Sequence, residues 1–147
     1  MEEQTTTDSR QRRLAVLAWL RLTRVFQKIE RASAEHFRRW NLSAAQFDVL
    51  AQLGPAEGIT QQELANKLYV TKGNVCQLLD KMEQSGLVVR EQHGRSNRLY
   101  LTESGHRLFD ETVPSEEAVL AEMFSALTLD EQAQLLALLR KLDHALG

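Results

Sequence analysis

The chain has 147 residues, a formal net charge of −2 and a single cysteine, and 43% of its residues are hydrophobic. This length suits one ordinary domain, or a small domain flanked by dimerisation helices. The balance of charged and apolar residues is that of a globular protein, and no apolar run is long enough to span a membrane. The N-terminus is polar and Cys76 cannot form an internal disulfide, so we expect a cytoplasmic protein.

Charge is distributed unevenly along the chain. Residues 10–39 carry nine Lys and Arg against two Glu, a local charge of +7, whereas residues 103–147 carry three basic and nine acidic residues, a charge of −6. Residues 72–98 carry five basic and three acidic residues. Since the field at a contact surface steers a charged ligand more than total charge does, a net charge of −2 does not exclude DNA. The opposite charges predict that the terminal segments lie near each other, although solvated faces explain them equally well.

The first predicted element is one long helix from Ser9 to about Arg39, because apolar residues recur there at spacings of three and four. A second apolar stripe lies on another face of this helix. A helix with two apolar stripes must bury both, so we expect it to pack on its own domain and on a second copy of the chain. The first stripe is Leu14, Ala18, Leu22, Val25, Ile29, Ala32 and His36, and the second is Trp19, Phe26, Phe37 and Trp40.

Helix starts are marked by capping patterns. Asn41 ends the first helix, and Ser43 with Gln46 forms a capping box that opens the next one. After the turn of residues 54–58, Thr60 with Glu63 opens a short helix in the same way. Thr71 is predicted to cap the helix that follows, and Gly86 to end it.

The remaining elements are a hairpin and two helices. Residues 87–91 and 98–101 alternate as two strands, joined by a loop of residues 93–97. A helix begins at Thr102 or Ser104 and is expected to be interrupted at Pro114, by a kink or by a restart at Ser115. A third capping box, Thr128 with Glu131, opens the last helix, which carries a leucine stripe.

A short helix, a tight turn and a second helix between Thr60 and Gly86 form the pattern of a helix-turn-helix. An Arg-containing hairpin directly after it makes the unit a winged one. The predicted fold class is therefore mainly α with a small β-hairpin wing, in which a winged helix-turn-helix is flanked by N- and C-terminal dimerisation helices.

Four strings, in this order and spacing, resemble the MarR (multiple antibiotic resistance regulator) family of transcription factors. They are LSAAQFDVL (42–50), TQQELANKL (60–68), TKGNVCQLLDKMEQSGLVVR (71–90) and LTESG (101–105). The resemblance covers essentially the whole chain and implies one module. In it, residues 9–40 and 103–147 form the dimerisation helices, and residues 43–102 form the DNA-binding lobe. It also implies a homodimeric repressor that binds a palindromic operator in double-stranded DNA. A small ligand or an oxidant is expected to release the repressor from this operator.

The second helix of the motif supplies the predicted base contacts. Its core face, built on Val75 and Leu79, leaves polar residues pointing outward. Amide side chains pair bidentately with adenine, Lys suits phosphates, and a glycine lets the backbone approach the groove. The helix that precedes it can hold phosphate through the backbone N–H groups at its start. Taken singly, each of these residues can equally be an ordinary exposed polar one. The predicted DNA contacts are Thr60, Gln61, Gln62, Thr71, Lys72, Gly73, Asn74, Gln77 and Lys81.

The wing departs from the family at one position. The family commonly has Asp-x-Arg at the tip, whereas this chain has His93-Gly94-Arg95. We expect Arg95 to enter the minor groove, and Arg98 to contact the DNA backbone or the wing base. A histidine at this place allows pH-dependent binding, but an exposed neutral His93 is the favoured interpretation.

Two further sites and two other functions are considered. Trp19, His36, Trp40 and Phe47 are candidates for a pocket that binds a small aromatic or phenolic effector, although aromatic residues at helical spacing more often form core. Cys76 is either a redox sensor or simply a small side chain. The sequence shows no metal or cofactor motif and no catalytic one. A protein-interaction module without DNA binding is the alternative function, and an enzyme the least favoured one.

Overall fold

The computed structural model describes residues 1–68 and 72–147. It is mainly helical with one antiparallel hairpin, which confirms the predicted fold class. The helices are α1 (Glu2–Phe37), α2 (Ala44–Leu53), α3 (Gln61–Leu68), α4 (Lys72–Gln84), α5 (Glu103–Met123) and α6 (Leu129–Leu146), and the strands are β1 (Val88–His93) and β2 (Ser96–Leu101).

Helix α1 begins seven residues earlier than the periodicity predicts. The residues before Ser9 are polar and therefore give no apolar repeat that reveals a helix. The hydroxyl groups of Thr5, Thr6 and Thr7 donate to carbonyl oxygens four residues earlier, at 2.9, 2.8 and 2.9 Å. A short 3₁₀ turn (Arg38–Trp40) follows α1, and Asn41 ends it in the left-handed conformation with φ of 54°.

The three predicted capping boxes are confirmed. Ser43 and Gln46 exchange hydrogen bonds of 2.9 and 3.1 Å at the start of α2, and Thr128 and Glu131 do so at the start of α6. At the start of α3, the Glu63 carboxylate accepts from the Thr60 N–H at 3.2 Å, and the Thr60 hydroxyl accepts from the Glu63 N–H at 3.1 Å. The predicted cap of α4, Thr71, lies outside the described residues.

One hydrophobic core joins α2, α3, α4 and the hairpin. Its apolar side chains come from the faces that the helical spacing predicts, and each fully buried large one stabilises the fold by about 1.5–3 kcal/mol. The core anchors the inner face of α4, so that helix keeps a fixed outer face. The fully buried members are Val49, Leu50, Leu53, Leu64, Ala65, Val75, Leu79, Met82, Val88 and Leu99.

The hairpin is tighter than predicted. The register runs from Val88↔Leu101 to His93↔Ser96, so the turn consists of Gly94 and Arg95 alone. Gly94 has a φ of +63°, as the two-residue hairpin turns require. At the other end of β2, Leu99 exchanges backbone hydrogen bonds with Gly58 and Ile59, at 2.7 and 2.9 Å. The hairpin is thereby fixed to the segment that leads into α3.

Of the two predicted forms of interruption at Pro114, a restart at Ser115 is wrong, because α5 is one continuous helix, and a kink stays a prediction. Thr102 caps α5, accepting from the Gly105 N–H at 3.0 Å, and the helix continues through Pro114 to Met123. Just after the proline, Glu116 accepts a hydrogen bond from Ser33 of α1. This packing holds the helix on the far side of the proline, which offsets the missing donor.

The outer helices leave large apolar surfaces uncovered in the single chain. No residue of α6 is buried, and Leu138, Leu142 and Leu146 are 65, 50 and 80% exposed. In α1, Leu14, Trp19 and Phe26 are 57, 63 and 57% exposed. Among the described residues, no helix combines the length and the apolar character that crossing a membrane requires.

Candidate nucleic-acid interface

Helix α4 presents its predicted contact residues on one side. Gly73, Asn74, Gln77 and Lys81 are exposed, while Val75, Leu79 and Met82 on the opposite face are in the core. Lys72 is the first residue of α4, and its side chain, like Thr71, lies outside what the structure describes. A Cβ on Gly73 would meet no atom of the described residues within 4 Å. The open side of this helix is therefore shaped to accept a large partner.

The start of α3 is more engaged within the protein than the sequence suggests. The Gln61 side chain is buried, and its Oε1 accepts a hydrogen bond of 3.1 Å from Asn97 Nδ2 of β2. Gln62 is exposed, and its amide donates to Asn66 at 3.0 Å. Thr60 is occupied by its capping box. Any phosphate contact at this end depends on backbone N–H groups and on Gln62, because the Gln61 side chain links α3 to the wing.

The two wing arginines that are predicted to contact DNA have different environments. Arg95 is exposed in the turn. Arg98 is half-buried, and its Nη1 donates to the Gly58 carbonyl at 2.9 Å. Arg98 is predicted to contact either the DNA backbone or the wing base, and in the structure it contacts the wing base. Arg95 is thus the wing arginine that is exposed for contact with a partner.

His93 has a carboxylate neighbour that the sequence pattern does not reveal. Its Nε2 lies 3.5 Å from Glu91 Oε2, and both side chains are more than half exposed. The two residues lie on the same side of β1 because side chains alternate along a strand. Glu91 therefore stands beside the place where the family commonly has its wing aspartate, but it contacts His93 and not Arg95.

Sequence reasoning misses a contact between the wing and α4. Arg90 of β1 donates from Nη1 to Asp80 Oδ1 at 2.6 Å, and from Nη2 to the Cys76 carbonyl at 2.8 Å. In the sequence, Arg90 is only a local positive charge. Its place in a strand that packs beside α4 is the signal that can identify such a contact.

Cys76 is the only cysteine, and it is exposed on the open side of α4. Its backbone carbonyl is held by Arg90. The structure therefore adds a third cation, after the Lys72 and Lys81 noted in the sequence, to the surroundings of this residue. Its role as a redox sensor stays a prediction.

A groove of about 390 Å³ separates α2 from the open side of α4. Asp48 of α2 lies across it from Gln77 and Lys81. Burial raises the pKa of Asp48, and the carboxylates of Glu30 and Glu116 raise that pKa further. The Asp48 carboxyl group thus lies between the polar side of α4 and the contact of α1 with α5.

The four aromatic and histidine residues predicted for an effector pocket are only partly brought together. His36 meets Trp40 edge-on at a centroid distance of 5.1 Å, and its Nε2 lies 3.0 Å from Ser115 Oγ of α5. Phe47 is in the core, stacked on Phe37 at 4.2 Å. Trp19 is 63% exposed and lies about 25 Å from His36 along α1, by the rise of an α-helix. Within a single chain, Trp19 therefore cannot line the same pocket as His36, Trp40 and Phe47.

The described residues contain no group of three or more His, Cys, Asp and Glu placed to hold a metal ion. Instead, the exposed parts of α4 and the wing tip carry amides together with both charges, Lys81 and Arg95 as cations and Asp80 and Glu91 as anions. A helix with a core-anchored inner face, an exposed outer face and an adjoining arginine-tipped hairpin defines a winged helix-turn-helix DNA-binding protein.

Comparisons with known proteins identify the family. A family model described as MarR family matches residues 40–98. An HTH-type transcriptional regulator of Bacillus cereus is 34% identical over 120 residues, which cover 82% of each chain. The HTH-type transcriptional repressor MdtR of Bacillus subtilis (strain 168) is 30% identical, over 86% of this chain and 83% of MdtR.

A solved structure shows the same relationship. A mutant of MarR from E. coli, complexed with operator DNA, superposes with a TM-score of 0.79 and 30% identity. The match covers 87% of this chain and 95% of that one. The chain belongs to the MarR family of winged-helix transcriptional regulators.

Proposed function

We propose that this protein is a homodimeric repressor that binds a palindromic operator, with α4 in the major groove and Arg95 in the minor groove. The observation that carries the proposal is the placement of the wing beside the open side of α4. Cys76 and Asp80 are exposed on that helix, and Arg90 joins both of them to β1. The wing tip is thereby attached beside the helix face that carries Asn74 and Gln77.

The side chains on this surface suit the division of labour in DNA recognition. The amides of Asn74 and Gln77 can pair with adenine edges, which gives sequence preference. Lys72 and Lys81 suit phosphates, which give affinity and salt dependence. The crystallised complex of E. coli MarR with operator DNA supports this use of the fold.

Dimerisation supplies the two-fold symmetry that a palindrome requires. Support comes from the apolar surfaces of α1 and α6, which are uncovered in one chain and are too large to be typical of a monomer. A second copy covers both faces by repeating the same contacts. Residues 9–40 and 103–147 are the proposed dimerisation segments, and residues 43–102 the DNA-binding lobe. The name of MdtR, a transcriptional repressor, supports repression as the outcome.

We propose further that a small aromatic or phenolic effector binds beside His36 and Trp40 and releases the protein from DNA. These side chains are half-buried where α1 meets α5, and α2 of the DNA-binding lobe begins a few residues later. The two tryptophans allow a direct measurement. In a Trp19→Phe variant, simple phenols and benzoates should quench Trp40 fluorescence and weaken the mobility shift over the same concentration range. Quenching without any change in DNA binding would contradict the release mechanism.

The wing tests the DNA-binding proposal most simply. Arg95→Ala removes an exposed contact without disturbing the core, so operator affinity should fall by about 1–3 kcal/mol. Arg107→Ala is the matched control, because Arg107 pairs with Glu103 on the surface of α5, outside the lobe. Both variants should keep the wild-type thermal midpoint. Equal affinity of the two variants in mobility shifts across a salt series would remove the wing from the mechanism, and an absence of any salt-dependent shift would favour a protein-interaction module.

A further inference from the structure

Arg90 connects the wing to the recognition helix through two different groups. Its Nη1 bonds to the Asp80 carboxylate at 2.6 Å, and its Nη2 bonds to the backbone carbonyl of Cys76 at 2.8 Å. The Arg90 side chain is only 16% exposed, and its Nε is buried with no hydrogen-bond partner among the described residues. A planar guanidinium held at two points is strongly constrained in direction.

The two acceptors belong to residues one helical turn apart, and because the Cys76 carbonyl points along the helix toward residue 80, one planar guanidinium reaches both of them. Arg90 is also fixed at its own end, because it pairs with Leu99 in the hairpin and Leu99 is in the core. Five residues further along, the same hairpin ends in Arg95. The distance between the α4 surface and the wing tip is therefore set by this contact and by the short stiff hairpin.

The contact also controls a charge. Asp80 lies next to Lys81 and three residues from Gln77, on the exposed part of α4, and it is 54% exposed itself. A carboxylate in this position repels DNA phosphates unless a cation compensates it. Arg90 supplies that cation while its side chain stays largely buried.

We propose that Arg90 is a positioning residue that locks the wing to α4 and thereby sets the operator preference without touching DNA. The proposal rests on the proposed DNA-binding function. A locked wing delivers Arg95 to the minor groove at a fixed distance from the bases that Asn74 and Gln77 read. A free wing still meets phosphates anywhere along a duplex, so loss of the lock reduces discrimination more than general affinity.

The test compares Arg90→Met and Arg90→Lys with Arg107→Met. Lysine keeps the charge but carries it on a flexible stem without the planar fork of arginine, so both Arg90 variants should weaken operator binding by about tenfold and change binding to unrelated duplex DNA by a smaller factor. Arg107→Met removes a surface arginine–glutamate pair of α5. Because Arg107 lies in a proposed dimerisation segment, sedimentation velocity first establishes that this variant has the oligomeric state of wild type, and its DNA binding should then match wild type. All measurements are made well below the thermal midpoint of each variant, which circular dichroism provides.

A double-mutant cycle separates positioning from mere stability. Arg95→Ala should cost a smaller factor in the Arg90→Met background than in wild type, because an unlocked wing no longer delivers Arg95. Asp80→Asn keeps the bond to Cys76 and removes the negative charge, so it should tighten binding to unrelated DNA. If Arg95→Ala costs the same factor in both backgrounds, Arg90 has only a structural role and the proposal is overturned.

A measurement without DNA tests the Arg90 contact independently of the proposed DNA-binding function. Amide hydrogen exchange in residues 91–98 should be faster in Arg90→Met than in Arg107→Met or wild type. Unchanged exchange there overturns the lock even when the wild-type protein binds its operator. A wild-type protein that shows no preference for any duplex overturns the DNA-binding function instead, whatever the exchange rates are.

Discussion

Gly73 is a residue that packing among the described residues does not explain. It lies in the first turn of α4, and a Cβ there would meet no described atom within 4 Å. Glycine inside a helix is destabilising, because it loses more backbone freedom on folding than alanine does. Gly105 is different, since a Cβ at that position would collide with the Leu87 carbonyl. An open glycine at the predicted groove is consistent with close approach of the α4 backbone to DNA.

Gly73→Ala should therefore separate stability from function. The free energy of unfolding should rise by about 0.5–1 kcal/mol, because alanine is the better helix former. Operator affinity should fall, since the added methyl group holds the backbone away from the groove floor. Denaturant unfolding and mobility shifts measure the two effects. Gly105→Ala is the contrasting control and should lose stability, and a Gly73→Ala protein that binds as tightly as wild type would contradict the predicted approach.

Single residues are predicted well when their role depends on local sequence, and poorly when it depends on distant contacts. The exposure of Asn74, Gln77 and Arg95 follows from helical spacing and from turn chemistry. The burial of Gln61 depends instead on Asn97, 36 residues away, and the two bonds of Arg90 reach back 10 and 14 residues. No periodicity within one element carries that information.

At the scale of the elements, helix starts are the most predictable features, because a capping box is a pattern of two residues three positions apart. All three boxes named in the sequence are present. The errors have equally physical causes. The polar start of α1 shows no periodicity, and at Pro114 the packing of α5 on α1 overrides the local preference to end the helix. The predicted strands are too short because the outer halves of the real ones are polar on both faces.

The outer face of α6 gives an element-scale prediction about assembly. Leu138 and Leu142 are one turn apart and 65 and 50% exposed in the single chain. Replacing both with Glu should convert the proposed dimer to monomers, because two charges cannot be buried in an apolar interface without partners. Sedimentation velocity measures the change. Ala133→Glu with Ala137→Glu adds the same charges to the polar side of α6 and should leave the dimer intact.

Two results would contradict the proposed dimer. If the Leu138 and Leu142 variant sediments as wild type does, the apolar face of α6 is not the interface between copies. If wild type is itself a monomer at micromolar concentration, a symmetric operator loses its structural basis. Loss of helicity in the variant is excluded by far-ultraviolet circular dichroism, since both replaced residues are exposed in the folded chain.

At the scale of the whole molecule, the outer helices and the central lobe differ in their charge and in their exposed apolar surface. The strongly basic residues 10–39 and the acidic residues 103–147 belong mainly to α1, α5 and α6, and the apolar faces of α1 and α6 are also uncovered. The central lobe carries the exposed amides, Lys81 and Arg95 on a scaffold with a complete core. This division places the cations Lys81 and Arg95 at the predicted contact surface of a chain whose net charge is −2. It also shows why total charge is a poor guide to the partner.

The most direct test of symmetric operator binding is a footprint of the purified protein on the DNA that flanks its own gene, combined with mobility shifts across a salt series. We expect two protected half-sites related by two-fold symmetry, with centres about one helical turn apart. We also expect an affinity that falls steeply as salt rises, since phosphate contacts release counterions. Weak binding that is uniform along the fragment, with no protected half-site, would contradict a symmetric, sequence-specific regulator.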